Sequence, residues 1–257
     1  MPISFPNKPG LVIYFTAGDP DLATTRDMAI AAIDAGADVI ELGVPFSDPL
    51  ADGPVIQRAS ERAVAKGTRL SDVLDVCKEI RTARPNAGII LFSYLNPVVR
   101  FGMEAFAKAA KDAGADGVLL TDMIVEEAGE YLRAMKENDL APVFLAAPTS
   151  PDERLKAIAE NSRGFVYAIS RVGITGTQTE LASDAEGLVA RLRKFTKLPI
   201  ALGFGVSNAE HVKAVAKFAD AAVVGSAIVA LIEKTPQAEA AQAVGKFVSS
   251  LKGTEGA

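Results

Sequence analysis

Short apolar runs recur along the whole chain, and a longer stretch with helical spacing follows each of them. The runs are residues 11–16, 39–42, 88–94, 117–121, 142–146, 164–170, 199–202 and 220–224. They are apolar at consecutive positions rather than at every second one, the pattern of strands covered on both faces. Such strands, joined by helices, form a parallel sheet, because a parallel neighbour requires a crossover long enough to hold a helix. Eight units without a break in composition predict an α/β fold, a (β/α)8 or TIM barrel, as a single domain over residues 1–257. A doubly wound sheet is the alternative, but the turn after the first strand lacks the Gly-x-Gly-x-x-Gly of a dinucleotide site.

Helix signals punctuate the repeat. Asp21 to Thr24 offers cap residues for a helix reaching about Asp34, and Ser71 is the expected N-cap of a helix over 71–83. Ala35-Gly36-Ala37-Asp38 stops the first helix, and Ala113-Gly114-Ala115-Asp116 repeats the same punctuation before the fourth strand. Other helices are expected over 55–66, 103–113, 126–137, 152–160, 185–195, 208–217 and about 237–251, with a short one from Ser226. Residues 1–10 read as irregular and 252–257 as a frayed tail.

Several functions are disfavoured by composition. A net charge of -5 with no basic run argues against nucleic acid or an anionic membrane. One His and one Cys are too few for a usual zinc site, and Cys77 has no partner for an internal disulfide. The start MPISFPNKPG lacks secretory-signal features and no segment approaches a membrane span, so a cytoplasmic location is expected.

A barrel carries its chemistry at the C-terminal strand ends. That places Asp19, Glu41, Asp48, Asp52, Tyr94, Asn96, Asp122 and Tyr167 on the list. Asp19 and Asp48 precede prolines and can be simple turn formers, Asp122 can cap the following helix, and Tyr94 and Tyr167 can be barrel filler. His211 reads as a surface residue and Cys77 as core. Glu41 differs, since it interrupts the apolar run Val39, Ile40, Leu42 with no Lys or Arg within ten residues. Such a carboxylate is either paired across the barrel or catalytic, and burial should raise its pKa toward neutrality. Asp52, on a loop that water can reach, is expected to stay ionised. Together the two suggest proton transfer without a metal. Glycine-rich loops follow the last three strands: Ser170 to Gly176, Gly203-Phe204-Gly205 and Gly225-Ser226. Bare N–H groups there, beside a helix start, suit a phosphate ester.

The string ELGVPFSDPLADGPVIQRA, with YFTAGDP, SRVGITG, GFGVS and GSAIV in that order, closely resembles the tryptophan synthase alpha chain family from about Leu11 to Leu251. The resemblance implies a retro-aldol cleavage of indole-3-glycerol phosphate to indole and glyceraldehyde 3-phosphate, with no cofactor in this chain. It implies Glu41 as the proton shuttle, Asp52 as the acceptor of the indole N–H, Tyr167 beside Glu41, and Thr175 closing its loop against Asp52. It implies phosphate ligands at Gly176, Gly205, Gly225 and Ser226, in the loops that also hold Gly203. The implied indole pocket is Tyr14, Ile56, Phe92, Tyr94, Leu119, Leu145 and Phe204. The implied partner is a pyridoxal-phosphate beta chain in an alpha2-beta2 complex, docked on the barrel end that includes residues 45–54.

Two departures stand out. Family members usually begin with a helix under the barrel, whereas here only MPISFPNK precedes the first strand, so closure of the barrel is expected to differ. After the fourth strand the family commonly has Asp-hydrophobic-Pro, whereas this chain reads Asp122-Met123-Ile124-Val125, which bears on docking. The competing readings are another phosphate-sugar barrel isomerase or epimerase, and a silent subunit that only activates a beta chain.

Overall fold

Each apolar run becomes a parallel strand. In the computed structural model, which describes residues 3–6, 8–169, 178–203 and 205–253, the strands are β1 (Gly10–Thr16), β2 (Val39–Gly43), β3 (Gly88–Ser93), β4 (Gly117–Leu120), β5 (Ala141–Val143), β6 (Leu145–Ala146), β7 (Val166–Ile169), β8 (Ile200–Gly203) and β9 (Ala221–Val224). All pairings are parallel, in the order β5-β4-β3-β2-β1-β9-β8-β7-β6. The fifth expected run is split at Phe144: β5 pairs with β4, β6 pairs with β7, and Phe144 O accepts from Tyr167 N at 3.1 Å. The nine strands are therefore eight staves, and the ring is closed through one residue of continuous chain.

Alternate residues point to the two sides of this wall. Leu11, Ile13, Phe15, Ile40 and Leu42 face the helices, while Val12, Val39, Ile90, Leu119, Val143 and Ala201 form a second cluster inside the ring. Parity then fixes Glu41 and Gly43 on the inward side with Val39.

The Ala-Gly-Ala-Asp repeat has a physical basis at the N-terminal rim. Gly36 and Gly114 take φ of 103° and 87°, which L side chains avoid, and so end their helices. The next Asp reaches sideways to the start of the preceding strand: Asp38 accepts from Leu11 N at 2.8 Å and Asp116 from Ile89 N at 2.9 Å. Asp220, with no glycine before it, does the same for Ile200 N at 2.8 Å. Each carboxylate also meets a cation: Lys252, Arg81 and Arg193, respectively.

Helix boundaries follow local capping. Asp21 caps helix Leu22–Asp34 by accepting from Thr24 N at 2.7 Å, and Asn208 caps Ala209–Val215. Ser71 is not a cap: that helix is Leu70–Ala83, and Asp72 reaches back to Arg69 N at 2.8 Å. Helix Leu95–Phe101, which the periodicity did not predict, follows β3 directly. Asp122 lies beside it and accepts from Leu95 N at 2.7 Å, so it serves this helix rather than the one after it. No helix among the described residues is long and apolar enough to cross a membrane.

Residues 3–6 carry no helix, yet the barrel floor is covered. Ile3 is buried in the inner cluster, and Phe5 packs edge-on against Phe165 with ring centroids 5.9 Å apart. Two glycines admit these side chains, because a Cβ at Gly164 would stand 2.7 Å from Ile3 Cδ1 and one at Gly10 would overlap the Phe5 ring. A non-helical plug thus does the work expected of a first helix. Ile3→Ala should lower unfolding stability by about 2–3 kcal/mol through the cavity it leaves, read as a lower urea midpoint at unchanged slope.

Candidate active site

Glu41 sits on the inward face of β2, next in register to Tyr14 on one side and Ile90 on the other. Its side chain is wholly buried, and neither carboxyl oxygen has a hydrogen-bond partner among the described residues. Desolvation pushes its pKa up to about 8, and among the described residues no cation is near enough to favour the ionised form. Of the two alternatives open to this residue, pairing across the barrel has no partner among the described residues. A carboxyl that is neutral near physiological pH and can lose its proton there suits general acid-base work.

Two tyrosines wall this carboxyl. Tyr14 contacts Thr16 Oγ1 through its hydroxyl at 3.2 Å and meets Phe92 edge-on at 5.2 Å between ring centroids. Burial raises the Tyr14 pKa, and the negative fields of Asp52 and Glu41 raise it further. Tyr167 is likewise raised by burial and then by Glu41 and Asp52. Both phenols therefore stay protonated, and both lie within the electrostatic reach of Glu41 and Asp52. Glycines make room for the rings: a Cβ at Gly43 would overlap Tyr14, and one at Gly203 would stand 2.9 Å from the Tyr167 hydroxyl. Gly43 and Thr16 were not among the sequence candidates. Period-two counting finds both, Gly43 from Glu41 on β2 and Thr16 from Tyr14 on β1.

Asp52 belongs to the loop between β2 and helix Pro54–Ala65. Tyr94, the residue after β3, holds that loop: its hydroxyl donates to Asp52 Oδ2 at 2.9 Å and accepts from Ala51 N at 2.9 Å. Gln57 donates back to Asp52 O at 2.9 Å, and Phe46 stacks against the Tyr94 ring at 5.3 Å. Tyr94 is a tether, not filler. Asp52 is less open to water than its loop position suggested, and burial raises its pKa while the Tyr94 hydroxyl opposes the rise. Asp48, on the exposed part of the loop, accepts from its neighbour Ser47 at 2.5 Å, as a turn former does.

Among the remaining candidates, Leu119 belongs to the inner cluster, with the partly buried Phe92, Leu145 and Tyr167 packed against it. Gly225 lies close to both Ile56 and Tyr14, whose Cδ1 and Cβ would be 3.8 and 3.9 Å from an added Cβ. It opens helix Ser226–Lys234 with Ser226 as its first residue. Gly205 adopts φ 62° in the loop after β8. Thr175, Gly176 and Phe204 lie outside the described residues. Asn96 is exposed on helix Leu95–Phe101. Asp19 is a buried ion-pair partner of Arg62, not merely a turn former. His211 is half-buried beside Ser207 and Asn208, and Cys77 is buried with its thiol pushed up to about 12.

Comparison with known proteins places nearly the whole chain in one family. A family model described as tryptophan synthase alpha chain matches residues 3–255. The curated tryptophan synthase alpha chain of Cupriavidus pinatubonensis is 45% identical over 249 residues, covering 96% of this chain and 93% of that one. The Burkholderia pseudomallei protein of the same name is 45% identical over 245 residues, covering 95% and 90%. Tryptophan synthase subunit alpha from Legionella pneumophila superposes with a TM-score of 0.88 at 36% identity, covering 95% and 92%. A chain from the tryptophan synthase a2b2 complex of Pyrococcus furiosus superposes with a TM-score of 0.87 at 40% identity, covering 96% and 98%.

Because its folded-state pKa lies above the ordinary value, Glu41 contributes stability that is complete below about pH 4.5 and is lost as pH rises through about 8. Glu41→Gln removes that dependence. Its unfolding free energy should exceed the wild-type value by a margin that grows from pH 5 to pH 9, reaching on the order of 4 kcal/mol; parallel denaturation curves across that range would refute the assigned protonation state.

Proposed function

The chain belongs to the tryptophan synthase alpha chain family, a family of lyases that cleave indole-3-glycerol phosphate to indole and glyceraldehyde 3-phosphate, and we propose that Glu41 and Asp52 carry this carbon-carbon cleavage here. The observation that supports it most is the buried Glu41 carboxyl, without a hydrogen-bond partner among the described residues and with its pKa near 8. In its neutral form it can deliver a proton to the ring carbon that bears the glycerol chain. As the carboxylate it can then take the proton of the adjacent hydroxyl while the carbon-carbon bond breaks and the aldehyde forms. The proton gained equals the proton given, so Glu41 ends as it began.

Protonating the ring carbon leaves positive charge on the ring nitrogen. Asp52, held by Tyr94 and Ala51, is the group that accepts this N–H and offsets the charge. Tyr167 and Tyr14 keep water away from Glu41, and Phe92, Leu119, Leu145, Ile56 and Phe204 supply an apolar pocket for the ring. The phosphate end falls to Gly176, Gly205, Gly225 and Ser226, where helix Ser226–Lys234 presents free N–H groups. Thr175 is assigned the closing contact with Asp52.

The partner is a beta chain, and its surface is the C-terminal barrel end. Leu50 is 90% exposed at the tip of the Asp52 loop, and Val99, Phe101 and Ile124 are exposed apolar residues in the segments after β3 and β4. Ile124 replaces the customary proline with an apolar side chain, which keeps this surface suited to docking. A cytoplasmic setting fits a biosynthetic reaction and one buried thiol, Cys77.

Indole release from indole-3-glycerol phosphate, measured with and without a beta chain, tests this reading. Glu41→Gln should abolish nearly all release while substrate still binds, and a rate within threefold of wild type would overturn its role. Asp52→Asn should slow release on the order of 10² or more. Leu50→Lys should weaken stimulation by the beta chain, seen as a higher beta-chain concentration at half-maximal rate, with the unstimulated rate unchanged.

A further inference from the structure

The proposed active site has a ring-holding end, carried by the loop before helix Pro54–Ala65, and a phosphate-holding end, carried by helix Ser226–Lys234. These segments are far apart in sequence, and one side chain reaches from the first helix to the second and to a third loop. Arg62 donates through Nε and Nη2 to the two oxygens of Asp19, at 2.9 and 2.7 Å, and through Nη1 to Glu233 Oε1 at 2.8 Å. Arg58, one turn earlier, grips both Glu233 oxygens at 2.9 and 2.8 Å.

The two anchors are positioned to matter. Asp19 is 5% exposed in the loop that follows β1, the strand of Tyr14. Glu233 lies near the end of the helix that Gly225 and Ser226 open, and its two arginines hold its pKa down to about 2. Nearby, Thr68 sits so close to Gly18 that a Cβ there would overlap it, so the loop after β1 and the end of the Arg62 helix are in direct contact. A planar guanidinium that donates to two carboxylates in fixed directions holds orientation as well as distance, which a lysine does not.

We propose that Arg62 is a positioning residue that sets the phosphate-binding helix against the Asp52 loop, so that the two ends of one substrate molecule are met at once. This rests on the functional reading above. Arg62 touches no reacting atom; its effect is on how well the phosphate end is organised before binding.

The test uses the full chain with a saturating beta chain, and compares indole-3-glycerol phosphate with its unphosphorylated analogue and with glycerol 3-phosphate as inhibitor. Arg62→Met should raise KM for the phosphorylated substrate and the inhibition constant of glycerol 3-phosphate about tenfold. kcat should stay within about threefold and turnover of the unphosphorylated analogue within about twofold. Arg62→Lys should recover only part of the loss. Glu233→Gln, on the exposed side of the network, should give the same pattern at about threefold, and serves as the readout if Arg62→Met does not fold. Equal losses on both substrates, or inhibition unchanged in every variant, would overturn the proposal. A wild-type chain that releases no indole would instead count against the functional reading itself.

Discussion

A buried ionisable group with no partner among the described residues is the constraint on which the rest of this structure turns. Glu41 is enclosed by a sheet closed on itself, and the only ways to keep it there are to protonate it or to bring something to it. The barrel does the first in the resting protein, with the pKa near 8. Everything around it maintains the enclosure. Tyr14 and Tyr167 cover it with phenols that do not ionise, and Gly43 and Gly203 give up their side chains so that those rings fit.

Around that buried group, the loops are tied to one another rather than left to find their places. Tyr94 fixes the Asp52 loop from below, Asp122 caps the start of the helix that follows Tyr94, and the Arg62 network joins the loop after β1 to the helices that follow β2 and β9. Preorganised polar groups are worth most where water is excluded, because they need not reorient as charge develops. The opposite rim is organised for stability by a repeated device: an Asp before one strand satisfies an N–H at the start of its neighbour and meets a cation. Below it, Ile3 and Phe5 close the floor without a helix.

Much of this was legible in the order of residues. The eight strand runs and most of the helices, the inward parity of Glu41 and the raised pKa follow from local periodicity and from the cost of burying charge, which require no knowledge of distant contacts. The helical stops at Gly36 and Gly114 were legible for the same reason, since only glycine accepts their backbone angles. The whole motif set also carried the family resemblance, which the matches to relatives at 45% identity support.

Other features depend on which strands become neighbours, and no window of sequence contains that. Asp19 and Arg62 are 43 residues apart and Arg62 and Glu233 are 171 apart, so their pairing exists only once the ring closes. Asp122 looked like the cap of its own helix, yet β3 and β4 lie side by side and bring it to Leu95 first. The split of the fifth strand at Phe144 is likewise the price of closing the ring, and the floor plug works because Gly10 and Gly164 meet side chains from the chain start. The sequence by itself determined the elements and the nature of the reactive carboxyl. Tertiary structure decided what that carboxyl lacks, what surrounds it and which loops are held together, because those are properties of contacts that only the closed barrel creates.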